Sequence, residues 1–320
     1  MSAPIIVIGS YVQDLTFFTP QFPNPGETVI GTFKTGPGGK GSNQAIAAMR
    51  AGVSTAFIGA VGDDAFASVA KVFHVQEGVD ARWHNIEGVS TGAASIVVND
   101  QGQNEIVVAL GACDHLAGDA VSRHMPESAE VVVSQLETHL DGAIAAMELG
   151  RKMGALTVLN PAPIRKDFPP AILGDVDVLI PNETEFVSIL KILNSECWND
   201  FSEADLLSLD DADLHNICRA IGVPTVIVTL GARGAFLSTP DRYRQFPPLK
   251  GIQVVDTTGA GDAFVGGFAA GWVLHKQNLD LAVQYGIIVS GLSVTQMGTA
   301  PAMPHVEQIQ QTIHNHAFQF

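Results

Sequence analysis

Residues 256–268 read DTTGAGDAFVGGF, a stretch rich in glycine and small residues. The apolar-alternating run before it, 252–255, predicts a strand, and the small and apolar residues 263–274 predict a buried helix. Gly259 and Gly261 allow a tight turn, so that backbone N–H groups converge at the helix N-terminus, where the helix dipole favours negative charge. Strand, glycine turn and helix in this order predict a site for an anion such as phosphate.

Asp262 lies directly after these glycines, at the start of the predicted helix. A carboxylate beside an anion site repels bound phosphate, so its presence is best explained if it collects a proton as a general base. Alternatively, Asp262 caps the helix by accepting hydrogen bonds from the free N–H groups of the first turn. This segment alone leaves both interpretations open.

Composition limits the partners that the chain can bind. With 320 residues and 46% hydrophobic content, it can form one large domain or two smaller ones. A net charge of −16 argues against nucleic acid or an anionic membrane as a partner, because either needs a clustered positive surface. There is no apolar run of membrane-spanning length and no signal-peptide pattern at the N-terminus. Three scattered cysteines (Cys113, Cys197 and Cys218) indicate reduced thiols, so we expect a cytoplasmic protein.

Short apolar runs alternate with helical segments along most of the chain. Residues 4–9, 55–61, 131–135 and 225–229 are typical of buried strands, and 140–153 is typical of a helix. Such alternation predicts a doubly wound α/β fold around a mainly parallel sheet.

Four other segments, 15–22, 28–35, 92–99 and 104–110, are extended and lack helical periodicity. We expect them to form one small sheet that protrudes as a lid. The predicted organisation is an α/β domain of residues 1–10, 36–90 and 112–320, and a lid of residues 11–35 and 91–111. Because a lone sheet leaves an apolar face in water, we expect the lid to pair with that of a second copy in a homodimer.

Gly36, Gly38 and Gly41 satisfy the pattern G-x-G-x-x-G, with Asp63 and Asp64 further on. An NAD-dependent dehydrogenase is therefore an alternative of a different class. In the dinucleotide fingerprint, however, the glycines follow the first strand of a parallel βαβ unit, whereas here they follow an exposed segment. A glycine turn that opens a helix is the better interpretation.

Five motifs together resemble the ribokinase-like family of sugar kinases. They are GPGGKGSNQA at 36–45, NPAP at 160–163, PNETE at 181–185, TLGARG at 229–234 and the stretch at 256–268. They occur in the family's order over essentially the whole chain. The resemblance implies a three-layer α/β/α fold with a small β-sheet lid and ATP-dependent phosphorylation of the primary hydroxyl of a pentose. A nucleoside kinase of the same family is the alternative substrate class, and a non-catalytic sugar-binding protein is a further rival.

The resemblance also implies roles for individual residues. Asp262 would be the general base, and the amides of Gly259, Ala260 and Gly261 would form the anion hole. Sugar-binding residues would be Asp14, Gly39, Lys40, Asn43 and Glu137. Thr229, Gly231 and Gly234 would contact ATP.

The cations implied by the resemblance are Mg²⁺ and K⁺. Asn182 and Glu185 would face hydrated Mg²⁺, Glu185 through water, although an N-cap with its capping-box partner is an equally simple explanation of this pair. K⁺ would be bound by carbonyl groups at Asp256, Thr258 and near Gly298.

Val12 is a departure from the family's pattern, which commonly has Asn two residues before the sugar-binding Asp. Relatives that act on 2-deoxyribose resemble this chain in having an apolar residue there. An apolar side chain suits a sugar that lacks one hydroxyl. Val12 therefore raises 2-deoxyribose beside ribose as the expected substrate.

Overall fold

The computed structural model describes residues 3–315. Strands in this part of the chain are β1 (Ile5–Ile8), β2 (Val12–Thr19), β3 (Thr32–Gly38), β4 (Thr55–Val61), β5 (Asp80–Asn85), β6 (Gly92–Asn99), β7 (Asn104–Ala109), β8 (Val131–Ser134), β9 (Leu156–Leu159), β10 (Val178–Leu179), β11 (Thr225–Thr229), β12 (Ala235–Ser238) and β13 (Tyr243–Phe246). Helices are α1 (Lys40–Arg50), α2 (Ala65–Gln76), α3 (Gly118–His124), α4 (Leu140–Met153), α5 (Glu183–Leu193), α6 (Ser195–Trp198), α7 (Glu203–Ser208), α8 (Asp211–Ala220), α9 (Ala260–Leu274), α10 (Leu279–Ser293) and α11 (Val306–Asn315).

Nine strands form the central sheet, in the order β13-β12-β11-β10-β9-β8-β1-β4-β5. All neighbours are parallel except at one edge, where β12 is antiparallel to both β11 and β13. The continuous apolar run of β1 is buried on both faces: Ile5 and Val7 pack into one core cluster, and Ile6 and Ile8 into the other. This alternation is what a sheet covered by helices on both sides requires.

The two core clusters define the outer layers. Helices α1, α9 and α10 contribute their buried faces to the first cluster, and α4 and α5 contribute theirs to the second. Small residues allow the closest helix contacts, as with Ala45, Ala47 and Ala48 of α1, which are fully buried. The predicted α/β architecture with a mainly parallel central sheet is confirmed. Between residues 3 and 315, no helix has the length and apolar character needed to cross a bilayer.

A second sheet has four strands in the order β3-β2-β6-β7, as the extended segments predicted. β2 is antiparallel to β3 but parallel to β6, so the four strands are not a simple antiparallel meander. The predicted bounds of the first two strands were displaced, because residues 20–31 form a loop containing prolines, which lack the N–H donor that a sheet needs.

The predicted strand at 252–255 was wrong. This segment has no regular structure, and the exposure of Val254 and Val255 shows that no layer covers it. The Val255 N–H donates to the carbonyl of Val294 at the end of α10 instead of to a neighbouring strand. The glycine turn before α9 therefore follows a loop instead of a strand. The acidic segment 197–213 contains α7, the end of α6 and the start of α8.

Candidate active site

Polar residues lie at the carboxyl ends of neighbouring parallel strands. Ser10 follows β1, Gln135 follows β8, Asn160 follows β9, Asn182 lies beyond β10, and Thr229 ends β11. Ligands of open α/β sheets bind along this edge. A cavity of about 160 Å³ opens there, and its walls include the first residues of α1 and α9.

Asp262 is the third residue of α9 and is only 6% exposed. Its Oδ2 accepts a hydrogen bond from Asn43 Nδ2 at 2.9 Å, and its Oδ1 accepts one from Gln44 Nε2 at 2.9 Å. Both donors belong to α1, so the carboxylate faces away from the first turn of its own helix. This arrangement favours the interpretation of Asp262 as a base over that of a helix cap.

The glycine turn lies against the same cavity. Gly259 is the N-cap of α9 with φ of 78°, in the left-handed region that glycine favours. Gly259, Ala260 and Gly261 all line the cavity beside Asp262. Free N–H groups at this helix N-terminus can therefore face an anion within the cavity.

Lys40, the first residue of α1, supplies positive charge to this cavity. Burial alone would lower the pKa of Lys40, but the carboxylates of Asp262, Glu137 and Glu185 outweigh it and leave the pKa raised. The ammonium group therefore stays charged among three acidic side chains. In a chain of net charge −16, it is the local cation that a phosphate group would meet.

Asp14 of β2 and Glu137 of the loop after β8 do not line this cavity, but they lie close enough to Asp262 and to Lys40, respectively, to interact with their charges. Asp14 Oδ2 accepts a hydrogen bond from Thr299 Oγ1 at 3.2 Å, and Glu137 Oε2 accepts from Ser10 Oγ at 2.5 Å and from the Lys40 N–H at 3.0 Å. Burial raises the pKa of Asp14 to about 6; the Thr299 bond opposes this, and the nearby charges of Glu137 and Asp262 add to it.

Gly39 allows β2 and α1 to approach closely. Its φ is 90°, and a Cβ at this position would lie 2.6 Å from the Val12 backbone nitrogen. Val12 is 1% exposed and lies on the same face of β2 as Asp14, because side chains two apart share a face. Asn43 Oδ1 is buried and has no hydrogen-bond partner among the described residues. An acceptor of this kind suits a ligand hydroxyl.

A larger cavity of about 660 Å³ adjoins the first, and both are lined by Asn182, Thr229, Ala260 and Gly261. Apolar side chains form much of its wall, namely Leu249, Ile252, Val254, Phe264, Ile287 and Val294. Gly231 and Gly234 also line it; both have positive φ. An apolar cavity that leads to an anion site fits a nucleotide, with the base in the larger space and the phosphates towards Lys40.

Asn182 and Glu185 form the capping box that was one of their two interpretations. Asn182 caps α5, and the Glu185 carboxylate accepts from the Asn182 N–H at 2.9 Å and from Asn182 Nδ2 at 3.1 Å. Both side chains also line the smaller cavity, and Glu185 is 8% exposed. Burial raises the pKa of Glu185, against the hydrogen bond from Asn182 and the charge of Lys40. The cap therefore holds the carboxylate at the cavity wall.

Asp256 joins the glycine turn to the loop after α10. Its carboxylate accepts one hydrogen bond from the Thr258 N–H at 2.9 Å and one from the Gly298 N–H at 3.0 Å. The three residues expected to provide carbonyl ligands are thus brought together. Within residues 3–315, no group of three His, Cys, Asp or Glu side chains could hold a metal ion.

The glycines of the G-x-G-x-x-G pattern have other roles. Gly36 and Gly38 belong to β3 of the small sheet, and Gly41 belongs to α1, where a Cβ would lie 2.6 Å from Gly9 Cα. They do not follow a strand of a parallel βαβ unit, which the dinucleotide fingerprint requires. The placement removes the basis for a dehydrogenase.

Three residues that were not predicted form hydrogen bonds to predicted site residues: Ser10 to Glu137, Thr299 to Asp14, and Gln44 to Asp262. A fourth, Gln135, donates to Gln44. Gln44 lies within the quoted motif, one residue after Asn43. The other three lie far along the chain from the residues that they contact, and only the fold brings each pair together.

Comparisons with known proteins agree with this geometry. Residues 2–306 match the pfkB family of carbohydrate kinases. The chain is 36% identical over 312 residues to a ribokinase of Haemophilus influenzae, and the match covers 95% of this chain and 96% of the relative. It is 34% identical over 311 residues to a deoxyribokinase of Salmonella typhi, and that match covers 96% of this chain and 97% of the relative. The solved structure of Arabidopsis thaliana ribokinase complexed with ribose and ATP superposes with a TM-score of 0.82 at 26% identity, covering 98% of this chain and 99% of that one. The chain therefore belongs to the pfkB family and is a sugar kinase.

Proposed function

We propose that this kinase transfers the γ-phosphate of ATP to the primary 5-hydroxyl of a pentose, D-ribose or 2-deoxy-D-ribose, with Asp262 as the general base. The observation that carries the proposal is the position of Asp262. It is buried at the N-terminus of α9, beside the glycine turn and Lys40, with both oxygens oriented by amide donors from α1. The relatives named above support the substrate class, because one is a ribokinase and another a deoxyribokinase.

The positions of these side chains suggest how the reaction proceeds. The sugar would lie between β2 and α1, where Asp14, Asn43 and Glu137 offer acceptors for its hydroxyls. Its primary hydroxyl would then give its proton to Asp262 as the oxygen attacks the γ-phosphorus, and the bond between that phosphorus and the departing ADP oxygen breaks. Lys40 and the N–H groups of the glycine turn would stabilise the charge that develops on the transferring group.

Magnesium would be bound mainly by phosphate oxygens and water at the cavity wall. Each oxygen of Glu185 accepts one amide hydrogen bond and keeps a lone pair, so its carboxylate fits a water of hydrated Mg²⁺. Magnesium supplies neutralisation of phosphate charge in phosphoryl transfer.

For a monovalent cation such as K⁺, the fit rests on Asp256, which accepts hydrogen bonds from the Thr258 and Gly298 N–H groups and so holds the turn and the Gly298 loop next to each other. A cation there would fix the turn that precedes the anion site.

The small sheet is proposed to act as a lid, with residues 11–35 and 91–111 as its segments. It provides Asp14 to the site and leaves several large apolar side chains exposed. We propose that these pair with a second copy in a homodimer. A cytoplasmic location is also proposed, because all three cysteines are free thiols, which a reducing compartment preserves.

The test is a substrate panel with ATP, Mg²⁺ and K⁺. Ribose, 2-deoxyribose, two hexoses and two nucleosides would be compared by ADP release, and the phosphorylated position would be assigned by ³¹P–¹H NMR. We expect the highest kcat/KM for the two pentoses, with the phosphate on O5. Preference for a hexose or a nucleoside would overturn the pentose assignment, and ADP release without an acceptor requirement would overturn the kinase role.

A further inference from the structure

We propose that Gln44 and Gln135 are positioning residues that fix the donor facing Asp262 through a directed series of amide hydrogen bonds. We call this series the amide relay; it consists of the Ile180 carbonyl and the side chains of Asn160, Gln44 and Gln135. The inference rests on the proposed role of Asp262 as the base. Neither glutamine is required to touch the sugar or ATP.

The Ile180 carbonyl sets the direction of the relay, because a carbonyl can only accept. Asn160 Nδ2 donates to it at 2.8 Å, which leaves Asn160 Oδ1 as an acceptor for Gln44 Nε2 at 3.1 Å. The second hydrogen of Gln44 Nε2 is donated to Asp262 Oδ1 at 2.9 Å. Both acceptors therefore require the nitrogen of Gln44 at this position, not its oxygen.

Gln135 secures the other side of Gln44. With its nitrogen committed, Gln44 presents Oε1 to Gln135, whose Nε2 donates to it at 2.6 Å. Gln135 Oε1 is then left buried with no hydrogen-bond partner among residues 3–315. A buried acceptor without a hydrogen bond costs free energy. The amide of Gln135 therefore adopts this orientation because its nitrogen must donate to Gln44.

The surroundings shield the two glutamines of the relay from water and restrict their movement. Gln44 is fully buried and Gln135 is 1% exposed. A Cβ on Gly9 would overlap Gln135 Oε1, so the absence of a side chain at position 9 makes room for the relay. Water therefore has little access to exchange these bonds, and the amide groups have little freedom to rotate.

The relay matters because Asp262 lies among other charges. Lys40 of α1, Asp14 of β2 and Glu185 of α5 all interact electrostatically with it. If the Gln44 amide rotated by half a turn, its oxygen would face the Asp262 carboxylate and add a further repulsion. By holding the nitrogen in place, Gln135 keeps the base oriented and its Oδ1 stabilised by a donor.

The experiment uses two variants at Gln135. Q135M keeps the side-chain length but removes the donor, and we expect kcat to fall about tenfold at all pH values, with KM for ATP within about twofold of the parent. Q135E can donate to Gln44 only when its carboxyl group is protonated. Its kcat should therefore approach that of the parent at low pH and fall with rising pH, a decline that neither the parent nor Q135M shows.

The matched control is Q245M. Gln245 also donates to a carbonyl, that of Arg233, at 2.6 Å and has an unpartnered buried oxygen, but it has no contact with the relay. Its kcat should have the same pH dependence as the parent. Thermal unfolding of each variant shows whether it folds. If Q135M does not fold, Q135E still provides the test, because its kcat at low pH is compared with its own kcat at high pH.

The outcomes separate this inference from the proposed function. Suppose that the parent releases ADP in response to sugar. If Q135M then retains kcat within twofold of the parent, the relay has no positioning role. The same conclusion follows if folded Q135E shows no added decline of kcat with rising pH. If the parent itself shows no sugar-dependent ADP release, the proposed function fails, and the base that the relay was to position fails with it.

Discussion

At the residue scale, Asp262 is a buried carboxylate that is stabilised by neutral donors. Amide N–H groups from Asn43 and Gln44 compensate for its lost hydration without forming an ion pair. A carboxylate held in this way can still accept a proton, because each oxygen keeps a lone pair. Glu185 also keeps a lone pair on each oxygen, but its donors belong to the first turn of its own helix, and we propose that it orients a water of hydrated Mg²⁺.

The first prediction concerns D262N. The amide cannot accept the hydroxyl proton, so kcat should fall by about 10³-fold or more, since base catalysis alone contributes roughly 10² to 10⁴-fold. The dissociation constant for ATP, measured by calorimetry, should change by less than about threefold. Turnover within tenfold of the parent would remove Asp262 from the mechanism.

The second prediction concerns Asp14, whose pKa is raised from 3.8 to about 6, mainly by burial. The folded protein binds the proton of Asp14 more tightly than the unfolded chain does. The contribution of Asp14 to the free energy of unfolding therefore falls as pH rises from about 4 to 6. D14N should therefore stabilise the ligand-free protein at pH 7 by about 1 to 3 kcal/mol and by much less at pH 4. Urea unfolding at both pH values is the measurement, and D241N in an exposed loop is the control. An equal effect of D14N at both pH values would contradict the assignment.

The third prediction concerns Val12 and the sugar. We propose that the 2-hydroxyl of ribose lies against Val12, which is on the Asp14 face of β2 and offers this hydroxyl no hydrogen-bond partner. Burying the hydroxyl there would cost about 1 to 3 kcal/mol. V12N should raise kcat/KM for ribose relative to 2-deoxyribose by about tenfold or more. Both sugars are measured with each protein, and V12I serves as the apolar control. A ratio that is unchanged, or that moves towards the deoxy sugar, would show that Val12 does not face the 2-hydroxyl.

At the element scale, the structure shows which patterns in the sequence were sufficient. The strands Thr55–Val61 and Thr225–Thr229 and the helix Leu140–Met153 have the predicted bounds, because each is a long apolar or amphipathic pattern buried in the sheet or against it. The edge strand Asp80–Asn85 was missed, because its residues are polar and half-exposed and its pairing with β4 supplies the regularity. The run 252–255 has strand-like residues but no neighbouring strand. The local pattern of apolar residues predicts the strands and helices of the core. Strands at the edge of the sheet depend on pairing with a neighbouring strand, which the local sequence does not reveal.

The same limit applies to the site. Residues within motifs, such as Asn43 and Asp262, were predicted because their spacing is local. Gln135 lies 91 residues from Gln44, and nothing in its own surroundings in the sequence indicates their contact. Its role depends on β8 and α1 reaching the same edge of the sheet.

The fourth prediction concerns the packing of α9 on α1. A Cβ on Gly266 of α9 would overlap the Gln44 carbonyl oxygen and lie 2.6 Å from Ala47 Cβ. G266A should therefore lower the free energy of unfolding by about 1 to 3 kcal/mol, although alanine ordinarily favours a helix over glycine. It should also lower kcat, because it moves Asp262 relative to its donors. G174A, where a Cβ meets nothing within 4 Å, is the control. A stabilised G266A with full activity would contradict the close packing.

At the scale of the whole molecule, one strongly acidic chain must bind an anionic substrate. The charge of −16 is offset at the site by Lys40 and by the N-terminus of α9, so attraction to ATP is local and short in range. The site is not positive overall, because Lys40 lies among the carboxylates of Asp262, Glu137 and Glu185. An anionic nucleotide would therefore depend on Lys40 and on the free N–H groups at the start of α9 for its attraction to the protein.

The fifth prediction concerns assembly through the small sheet. Phe17 of β2 and Phe33 of β3 are both exposed, and their ring centroids lie 5.0 Å apart. On the edge strand β7, Ile106 is 50% exposed and Val107 is 71% exposed, and the two side chains point to opposite faces of the sheet. A surface of this kind is costly in water, so light scattering at micromolar concentration should give about twice the chain mass of 33.7 kDa. The double variant I106E/V107E places charge on both faces of the strand and should give a single chain mass. The control is L207E on α7, where Leu207 is 40% exposed and the helix packs on α5 beside the central sheet, and it should leave the mass unchanged. A parent protein of single mass would reject the homodimer while leaving the lid in place, since Asp14 would still reach the sugar from its own chain.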